Sequence, residues 1–372
     1  MTRKSQIRFV SKDKDKNIFF ATLRQRVDQY FIQNNISSHA NTTMVVKTIV
    51  LFIAYLLPFA LFLTLQPGFW VSMGLWLLMG ISVAGIGMSV MHDANHGAYS
   101  SNKKVNEWVG YSLNLLGGAV FNWKLQHNVL HHTYTNVVHM DDDIEDKLVL
   151  RFSPHTEVKG VHRLQYAYAF LFYGVLTLYW VVAKDFVQYF KYTRNGVNTN
   201  TPRQNAVILT KIILLKAIYL IAMLVVPVLV FGLPFSHVIS GFLLMHFAAG
   251  LILTVVFQLA HTVEGTSHPL PDEHGTIENS WAIHQMNTTV NFSRHNKWLS
   301  WYVGGLNYQV EHHLFPRICH VHYPAISGIV KETAEEFGIP YMENPTFMDA
   351  LKSHINTLQR FGKTPSMNEA IA

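Results

Sequence analysis

Uncharged apolar runs come in two pairs along the chain. Residues 44–90 carry a single charge, Lys47, and divide at Gln66-Pro67-Gly68 into two runs. Residues 208–260 repeat the pattern and divide at Gly232-Leu233-Pro234. Each run has roughly the 20 residues that a helix needs to cross the hydrocarbon core of a bilayer. The pattern predicts two membrane-spanning helical hairpins, with spans at about 44–66, 69–90, 208–231 and 235–260.

A third run, 164–183, is also uncharged and long enough to cross. Its many tyrosines and its tryptophan favour the membrane interface. If it crossed, the histidine-rich segments before and after it would face opposite sides of the membrane and could not share one site. We therefore interpret this run, and the shorter run 108–121, as interfacial. The expected fold class is an all-α polytopic membrane protein with four transmembrane helices, interfacial helices and a cytoplasmic cap.

Charge supports an orientation for this fold. Residues 1–43 contain eight Lys or Arg against three Asp, and loops with excess Lys and Arg stay in the cytoplasm. We therefore expect a cytoplasmic arm over 1–43, a membrane domain over 44–345 and a cytoplasmic tail over 346–372. Both hairpin turns would lie on the far side. The net charge of +6 is explained in the same way, because the basic residues lie beside the apolar spans and orient them in the membrane. We therefore expect no nucleic-acid partner.

Composition narrows the chemistry. Charged residues make up 14% of the chain, against about 25% in soluble domains. The single cysteine, Cys319, excludes an internal disulfide, a thiolate-ligated iron–sulfur cluster and a cysteine-rich zinc site. Histidine is abundant instead, with 21 residues.

Most of the informative histidines fall into short motifs beside the apolar runs. The motifs are HDANH, HNVLHH and QVEHH, and a further histidine follows the fourth run in QLAHTVEG. Residues four apart share a helix face, so His92 with His96, and His127 with His131, can act together, and Gln309 lies one turn before His312. The candidate metal ligands are His92, His96, His127, His131, His132, His261, His312 and His313.

Eight imidazoles are more than one metal ion needs, so two ions are expected. Neutral imidazole binds iron, zinc, copper and nickel, and a closed structural zinc site usually includes cysteine. A pair of non-haem iron ions fits better, because it can use dioxygen to break an unactivated C–H bond in a membrane-embedded substrate. Carboxylates often orient metal-bound imidazoles. Asp93, Glu264, Glu311 and the acidic run 141–145 are candidates for that role.

Other interpretations remain open. One isolated histidine pair is more often an ordinary surface pair than a ligand pair, and only the joint occurrence favours a metal centre. A membrane hydroxylase would use the same ligands and return oxygen to the substrate. A histidine-lined transporter would place its ionisable groups inside the spans, whereas these motifs lie at or beyond the span ends.

The three motifs resemble the histidine boxes HxxxH, HxxxHH and QxxHH of the membrane fatty acid desaturase family. The likeness covers roughly residues 50–330. The segments GGLNYQVEHHLFP at 304–316 and FQLAHTVEG at 257–265 are similar to the front-end subgroup, in which Gln309 stands where other members have histidine. The resemblance implies a di-iron, dioxygen-dependent fatty acyl desaturase that introduces a cis double bond, of the Δ5 or Δ6 (linoleoyl-CoA-like) type. Related hydroxylases and sphingolipid desaturases share the boxes.

The resemblance also implies partners. The substrate would be an acyl lipid or an acyl-CoA that enters a hydrophobic tunnel. Many front-end members carry a cytochrome b5 domain with a HisProGlyGly motif, which this sequence lacks. We therefore expect an external electron carrier, either a ferredoxin or a cytochrome b5 with its reductase. That pattern suggests a bacterial plasma membrane with the active site on its cytoplasmic side. Gln309 is expected to be an oxygen ligand or to hold a bound water.

Overall fold

The computed structural model of the chain describes residues 7–145 and 149–365. Helices dominate these residues, which confirms the predicted all-α fold. The strands described form two short parallel pairs, Arg8–Val10 with Thr276–Glu278 and Asn291–Phe292 with Glu343–Asn344. Five helices in this part of the chain are long and apolar enough to span a membrane: Thr42–Leu65, Phe69–His96, Gly160–Arg194, Pro202–Leu229 and Phe235–His261.

Four of these helices form the two expected hairpins. Asn41 caps the first helix by accepting a hydrogen bond from the Met44 amide, and Thr201 begins the second hairpin in a capping box with Gln204. Gln66 ends the first helix in the left-handed conformation. Its side-chain amide donates to the carbonyl of Phe231 at 2.7 Å. The two hairpin turns therefore lie side by side at one end of the molecule.

Close packing joins the second helix of each hairpin. A Cβ placed on Gly80 would lie 2.5 Å from the Met245 carbonyl oxygen, and one on Gly241 would clash with the buried ring of Trp76. Small residues of this kind let helix backbones approach closely where no water drives their association. Because the two helices run side by side, their last residues, His96 and His261, end at the same side of the molecule, opposite the turns.

The helix Gly160–Arg194 carries the third apolar run and packs across Phe235–His261, where Gly174 and Gly250 come into contact. Near its start, Gln165 donates to the carbonyl of Leu358 at 2.8 Å. Near its end, Gln188 donates to the side chain of Gln126. Both of its ends thus contact segments on the histidine side. Its length and hydropathy alone would also suit a span, so the number of crossings stays a prediction.

The remaining helices build a cap over the histidine end. Phe19–Gln33, predicted as helical, buries Phe19, Leu23 and Val27 at helical spacing beneath Tyr323–Glu336. The segment predicted as a C-terminal tail forms the amphipathic helix Phe347–Lys363, which packs on the membrane domain. Its last residues, 366–372, lie outside the described part. The other cap helices are short: Lys103–Gly110, Ser112–Leu115, Val120–Trp123, Asp185–Arg194 as the end of the third run, Trp281–Thr288, Lys297–Tyr302 and Gln309–Leu314.

Four wide, π-helical turns interrupt the longer helices: Ile86–Val90, Lys124–His131, Trp180–Lys184 and Ile221–Val225. Such turns insert an extra residue into the helix and occur often at functional sites. The first immediately precedes the HDANH segment, and the second contains His127 and His131. They decide which way the following rings point, so they bear directly on the site.

Candidate metal centre

Four separate segments bring the predicted histidines together. His92 and His96 end the second spanning helix, and His261 ends the last one. The HNVLHH residues lie in the π-helical turn Lys124–His131 and the helical turn that follows it. The QVEHH residues form the short helix Gln309–Leu314. Each segment starts from or abuts a packed helix, which holds its rings in place.

The eight rings form two overlapping groups. In one, ligand atoms of His92, His96, His127 and His312 all lie within 4.8 Å of one another. In the other, His131, His261 and His313 meet the same limit. His132 lies between the groups, and its ligand atom lies within 4.8 Å of those of His312 and His313. Seven of the eight are buried and His96 is partly buried, so water does not surround them.

The inward-facing nitrogens of these rings lack protein partners. Among the eight site rings, six Nε2 atoms are buried with no hydrogen-bond partner in the described residues: those of His96, His131, His132, His261, His312 and His313. The other two, on His92 and His127, face each other at 3.2 Å. Buried polar atoms without partners are rare in folded proteins and need an explanation. Imidazole nitrogens grouped in this way fit two metal ions that accept nitrogen ligands.

Four of the Nδ1 atoms are held by the protein, whereas those of His92 and His132 are buried with no hydrogen-bond partner among the described residues. Asp141 faces that of His131 at 2.9 Å and Gln285 that of His313 at 2.8 Å. The hydroxyl of Tyr323 lies 3.2 Å from His312 Nδ1, and the carbonyl of Thr288 lies 3.3 Å from His261 Nδ1. A partner at Nδ1 places the proton there and leaves the Nε2 lone pair for a metal.

Burial lowers the pKa of several of these imidazoles and so favours their neutral form. It lowers the pKa of His127 to about 3, against the opposing effect of the neighbouring Asp143 carboxylate. Burial and the neighbouring rings lower the pKa of His132, His312 and His313. His131 differs, because the Asp141 carboxylate outweighs the effect of burial and raises its pKa. Neutral rings are the form that binds metals.

The acidic candidates divide into two sets. Asp141 and Asp143 of the acidic run contact the histidines, whereas Asp142 and Glu145 pair with Lys191 at 2.7 and 2.5 Å. The expectation for Glu311 is wrong, because its carboxylate accepts hydrogen bonds from Tyr341 and Asn291 instead. The expectation that Glu264 orients an imidazole is also wrong. This residue is exposed, and its backbone N–H donates to the Ser353 side chain.

Asp93, the remaining candidate, belongs to a buried chain of polar contacts. One of its oxygens accepts hydrogen bonds from the backbone and the ring of His320, at 3.1 and 2.8 Å. The other lies 3.7 Å from His92 Nδ1. The Lys47 ammonium lies 2.6 Å from the far nitrogen of His320. The carboxylate is thus shared between a histidine of the site and a histidine that already has a cationic partner.

A narrow cavity of about 160 Å³ opens onto the first group. His92, His127, His312 and Gln309 line its histidine end, and apolar side chains form most of the remaining wall. Val83, which lies nine residues before His92 on the same helix, also lines the cavity. From the rise of about 1.5 Å per helical residue, the cavity extends about 13 Å along this helix. Gln309 is buried, and its Oε1 has no hydrogen-bond partner among the described residues. An apolar chain fits such a space with one of its carbons beside the rings.

Several residues with clear roles in this geometry carry no signal in the motifs. Gln285 and Tyr323 lie far from the histidines they contact, separated from them in the chain by 28 and 11 residues respectively. His320 follows QVEHH closely in the sequence, but it belongs to none of the histidine motifs. Only Asp141 and Asp143, close behind HNVLHH, could be suspected from spacing.

Comparisons with known proteins agree with this geometry. The family model described as fatty acid desaturase matches residues 68–345. The chain is 35% identical over 351 residues to the sn-1 linoleoyl-lipid 6-desaturase of Synechocystis, covering 94% of this chain and 96% of that protein. It is 36% identical to the enzyme of the same name from Arthrospira platensis, over 93% of both chains.

A third relative is longer. The acyl-lipid (8-3)-desaturase of Physcomitrium patens is 35% identical over 360 residues, which cover 95% of this chain and 73% of that protein. All four histidine-bearing segments fall inside the region that the family model matches. On the strength of that match and of these relatives, the chain belongs to the fatty acid desaturase family.

Proposed function

We propose that this protein is a di-iron, dioxygen-dependent desaturase that introduces a cis double bond near the carboxyl end of a lipid-bound fatty acyl chain, in the front-end Δ6 or Δ5 manner. The convergence of eight histidines, seven of them buried, with their Nε2 atoms turned toward one another, carries the proposal. The membership in the desaturase family makes the chain an oxidoreductase. To this family membership the proposal adds that the metal is iron, that two ions bind, and that the double bond forms near the carboxyl end.

Bound iron would supply the activation of dioxygen and the removal of hydrogen from an unactivated methylene. The protein contributes the positions of all reacting groups. Its histidines, in their neutral form, would bind the metal. Asp141 and Gln285 orient two of the imidazole rings. The apolar wall excludes water from the reacting carbon, and the cavity holds one part of the chain beside the rings, which is positioning in the catalytic sense.

The overall reaction balances with an external reductant. Two hydrogens leave neighbouring methylenes of the acyl chain as the double bond forms. One dioxygen becomes two waters by taking these hydrogens, two electrons and two protons. The electrons come from a separate carrier, a ferredoxin or a cytochrome b5 with its reductase. Purified enzyme with iron, dioxygen and NADH alone is expected to be inactive, and adding the carrier with its reductase should restore turnover.

An acyl lipid is the favoured substrate over an acyl-CoA. The two cyanobacterial relatives, aligned over nearly their whole length, are named as desaturases of linoleoyl lipids. One end of the cavity is lined by His92, His127 and His312, at the end of the spanning helices where the head group of a bilayer lipid would lie. The enzyme would then work in a bacterial plasma membrane with its site on the cytoplasmic side.

Expression in a host with a simple lipid profile tests the proposal. Mass spectrometry should show fatty acids that have lost two hydrogens, with the new double bond on the carboxyl side of an existing one. Products that have gained an oxygen would instead identify a hydroxylase. His312→Ala should abolish the product while the protein still accumulates in the membrane. His274→Ala, at an exposed histidine outside the site, is the matched control and should leave the product unchanged.

A further inference from the structure

Gln285 lies in the helix Trp281–Thr288, outside every histidine motif, and its side chain is fully buried. Its amide contacts residues of two different motif segments. The oxygen lies 2.8 Å from His313 Nδ1 and accepts a hydrogen bond from the Thr135 hydroxyl at 2.8 Å. The nitrogen donates to the backbone carbonyl of His132 at 3.2 Å. One side chain therefore connects HNVLHH to QVEHH.

These partners fix which way the amide points. The carbonyl of His132 can only accept, so the Gln285 nitrogen must face it. The Gln285 oxygen then faces His313, and an amide oxygen can only accept. His313 Nδ1 must consequently carry the proton, which leaves its Nε2 with the lone pair. That Nε2 is buried with no hydrogen-bond partner in the described part of the chain and faces His131 and His261.

The same short helix reaches two further histidines. Trp281 Nε1 donates to the His132 carbonyl at 3.0 Å, and the Thr288 carbonyl accepts from His261 Nδ1 at 3.3 Å. Gln285 is the central residue of this set. A glutamine that served only to fill space would leave a costly buried amide in a place where an apolar side chain fits equally well. Here every polar atom of the amide is aimed at a histidine segment.

We propose that Gln285 is a positioning residue of the metal centre, which sets the tautomer and ring orientation of His313 and holds the HNVLHH segment against QVEHH. The inference rests on the proposed function, because it presupposes metal at this centre. Groups that hydrogen-bond to metal ligands typically change metal affinity 10–100-fold when removed. Gln285→Met keeps the length and volume of the side chain and removes both of its hydrogen-bonding groups, so it isolates this role.

Gln165 offers a matched control. It is also fully buried, accepts from the Arg151 amide at 2.8 Å and donates to the Leu358 carbonyl at 2.8 Å, away from the histidines. The parent protein, Gln285→Met and Gln165→Met are loaded with ferrous iron in detergent without oxygen. Each is then titrated with a ferrous chelator, and the retained iron is measured by elemental analysis. Thermal unfolding of the iron-free proteins is recorded separately.

For Gln285→Met, part of the iron should leave at a chelator concentration about 10–100-fold lower than for the parent. Gln165→Met should release iron as the parent does, even if its unfolding temperature falls. Gln285→Glu keeps an acceptor for His313 Nδ1, and its iron release should stay within a few-fold of the parent. That rescue distinguishes positioning from packing, since both substitutions preserve the size of the side chain.

Three results would overturn the inference. Gln285→Met could release iron as the parent does, or both methionine variants could lose iron equally as their stability falls. If Gln285→Met fails to fold, Gln285→Glu decides, and iron release at a 10–100-fold lower chelator concentration would contradict the proposal. In each of these cases the parent still binds iron, so the proposed function stands. A parent that binds no iron would overturn the proposed function and this inference together.

Discussion

At three of the site histidines the two ring nitrogens have different surroundings. The protein holds Nδ1 of His131, His312 and His313 through side-chain groups, while their Nε2 atoms remain without protein partners. A metal ligand needs this asymmetry, because the hydrogen bond at one nitrogen sets the tautomer that frees the other. The chemistry of the site therefore depends on Asp141, Tyr323 and Gln285 as well as on the histidines.

Gln309 provides a sharp test at this scale. It lines the cavity beside His92 and His312, and its buried Oε1 has no partner in the described residues. Gln309→Ala should lower turnover at least tenfold and leave iron content nearly unchanged, because the imidazoles still hold the metal. Single-turnover kinetics and elemental analysis measure the two quantities. Gln309→His should keep partial activity. Parent-like turnover of Gln309→Ala would make the residue a packing glutamine.

Buried histidines outside the metal site set an acid limit on stability. His354 contacts the Thr262 carbonyl and the Tyr173 hydroxyl. Burial lowers its pKa to about 4, against the opposing hydrogen bond to Thr262. In the unfolded chain a histidine has a pKa of about 6.5. The folded state is thus fully favoured above pH 6.5 and loses stability as the pH falls toward 4, because the unfolded chain takes up the proton first.

Each such histidine should cost about 1 kcal/mol of stability per pH unit in that window. His354→Gln should therefore reduce the fall in unfolding temperature between pH 7 and pH 5. Iron-free protein is used, since metal binding has its own pH dependence. His274→Gln, at an exposed position, should leave the pH dependence unchanged. An equal pH dependence for His354→Gln and the parent would assign the acid limit to other groups.

At the scale of elements, a buried ion pair joins apolar helices next to the cavity. Lys216 donates to the carbonyls of Gly117, Trp180 and Val181 at 2.8–3.0 Å and pairs with Asp185 at 2.8 Å. The wide turn Trp180–Lys184 interrupts the regular ladder of helical hydrogen bonds, and the ammonium supplies donors to its carbonyls. The ion pair thereby joins the helix Pro202–Leu229 to two segments of the cavity wall, one around Gly117 and one around Trp180.

Removing one partner of a buried pair leaves the other charge unpaired, which costs about 3–5 kcal/mol. Lys216→Met should therefore lower the thermal stability of the detergent-solubilised protein sharply. Lys211→Met, in the same helix but at an exposed position, should change it little. Comparable unfolding temperatures for the two variants would show that the Asp185 carboxylate is satisfied by its backbone and side-chain donors alone.

At the scale of the whole molecule, the shared site restricts the path through the membrane. His96 and His261 meet in one centre, so the chain between them must cross an even number of times. The two helices of the second hairpin, Pro202–Leu229 and Phe235–His261, already account for two crossings. We therefore expect Gly160–Arg194, whose two ends both contact the histidine side, to lie at the interface.

Reporter fusions test this topology. Fusions after Asn198 and after Lys363 should both give cytoplasmic signals, because of the Lys and Arg excess and the shared site. A fusion within Gly232–Phe235 should report the outside. An external signal after Asn198 would mean that Gly160–Arg194 crosses the membrane, and the four-span topology would have to be abandoned.

Local pattern predicted the helical class, and it also supplied the proposed spans and the proposed ligand set. Hydropathy reports whether a helix can lie in lipid, and the spacing within HDANH and HNVLHH reports which rings share a face. Both are properties of neighbouring residues, so the sequence alone contains them. The segment Phe19–Gln33 could be predicted as a helix for the same reason.

Only the tertiary structure decided which partners hold the rings. Proximity in sequence suggested Glu264 and Glu311, yet Glu264 is exposed and contacts Ser353 through its backbone N–H, and the Glu311 carboxylate faces Tyr341 and Asn291. Gln285 and Tyr323 orient His313 and His312 instead, because packing of the cap helices places them opposite Nδ1. Contacts of this kind depend on helix crossing and on wide π-helical turns, which redirect side chains. Neither feature leaves a periodic signal along the chain, so Gln285 and Tyr323 could not be predicted, whereas Asp141 could be suspected because it lies close behind HNVLHH.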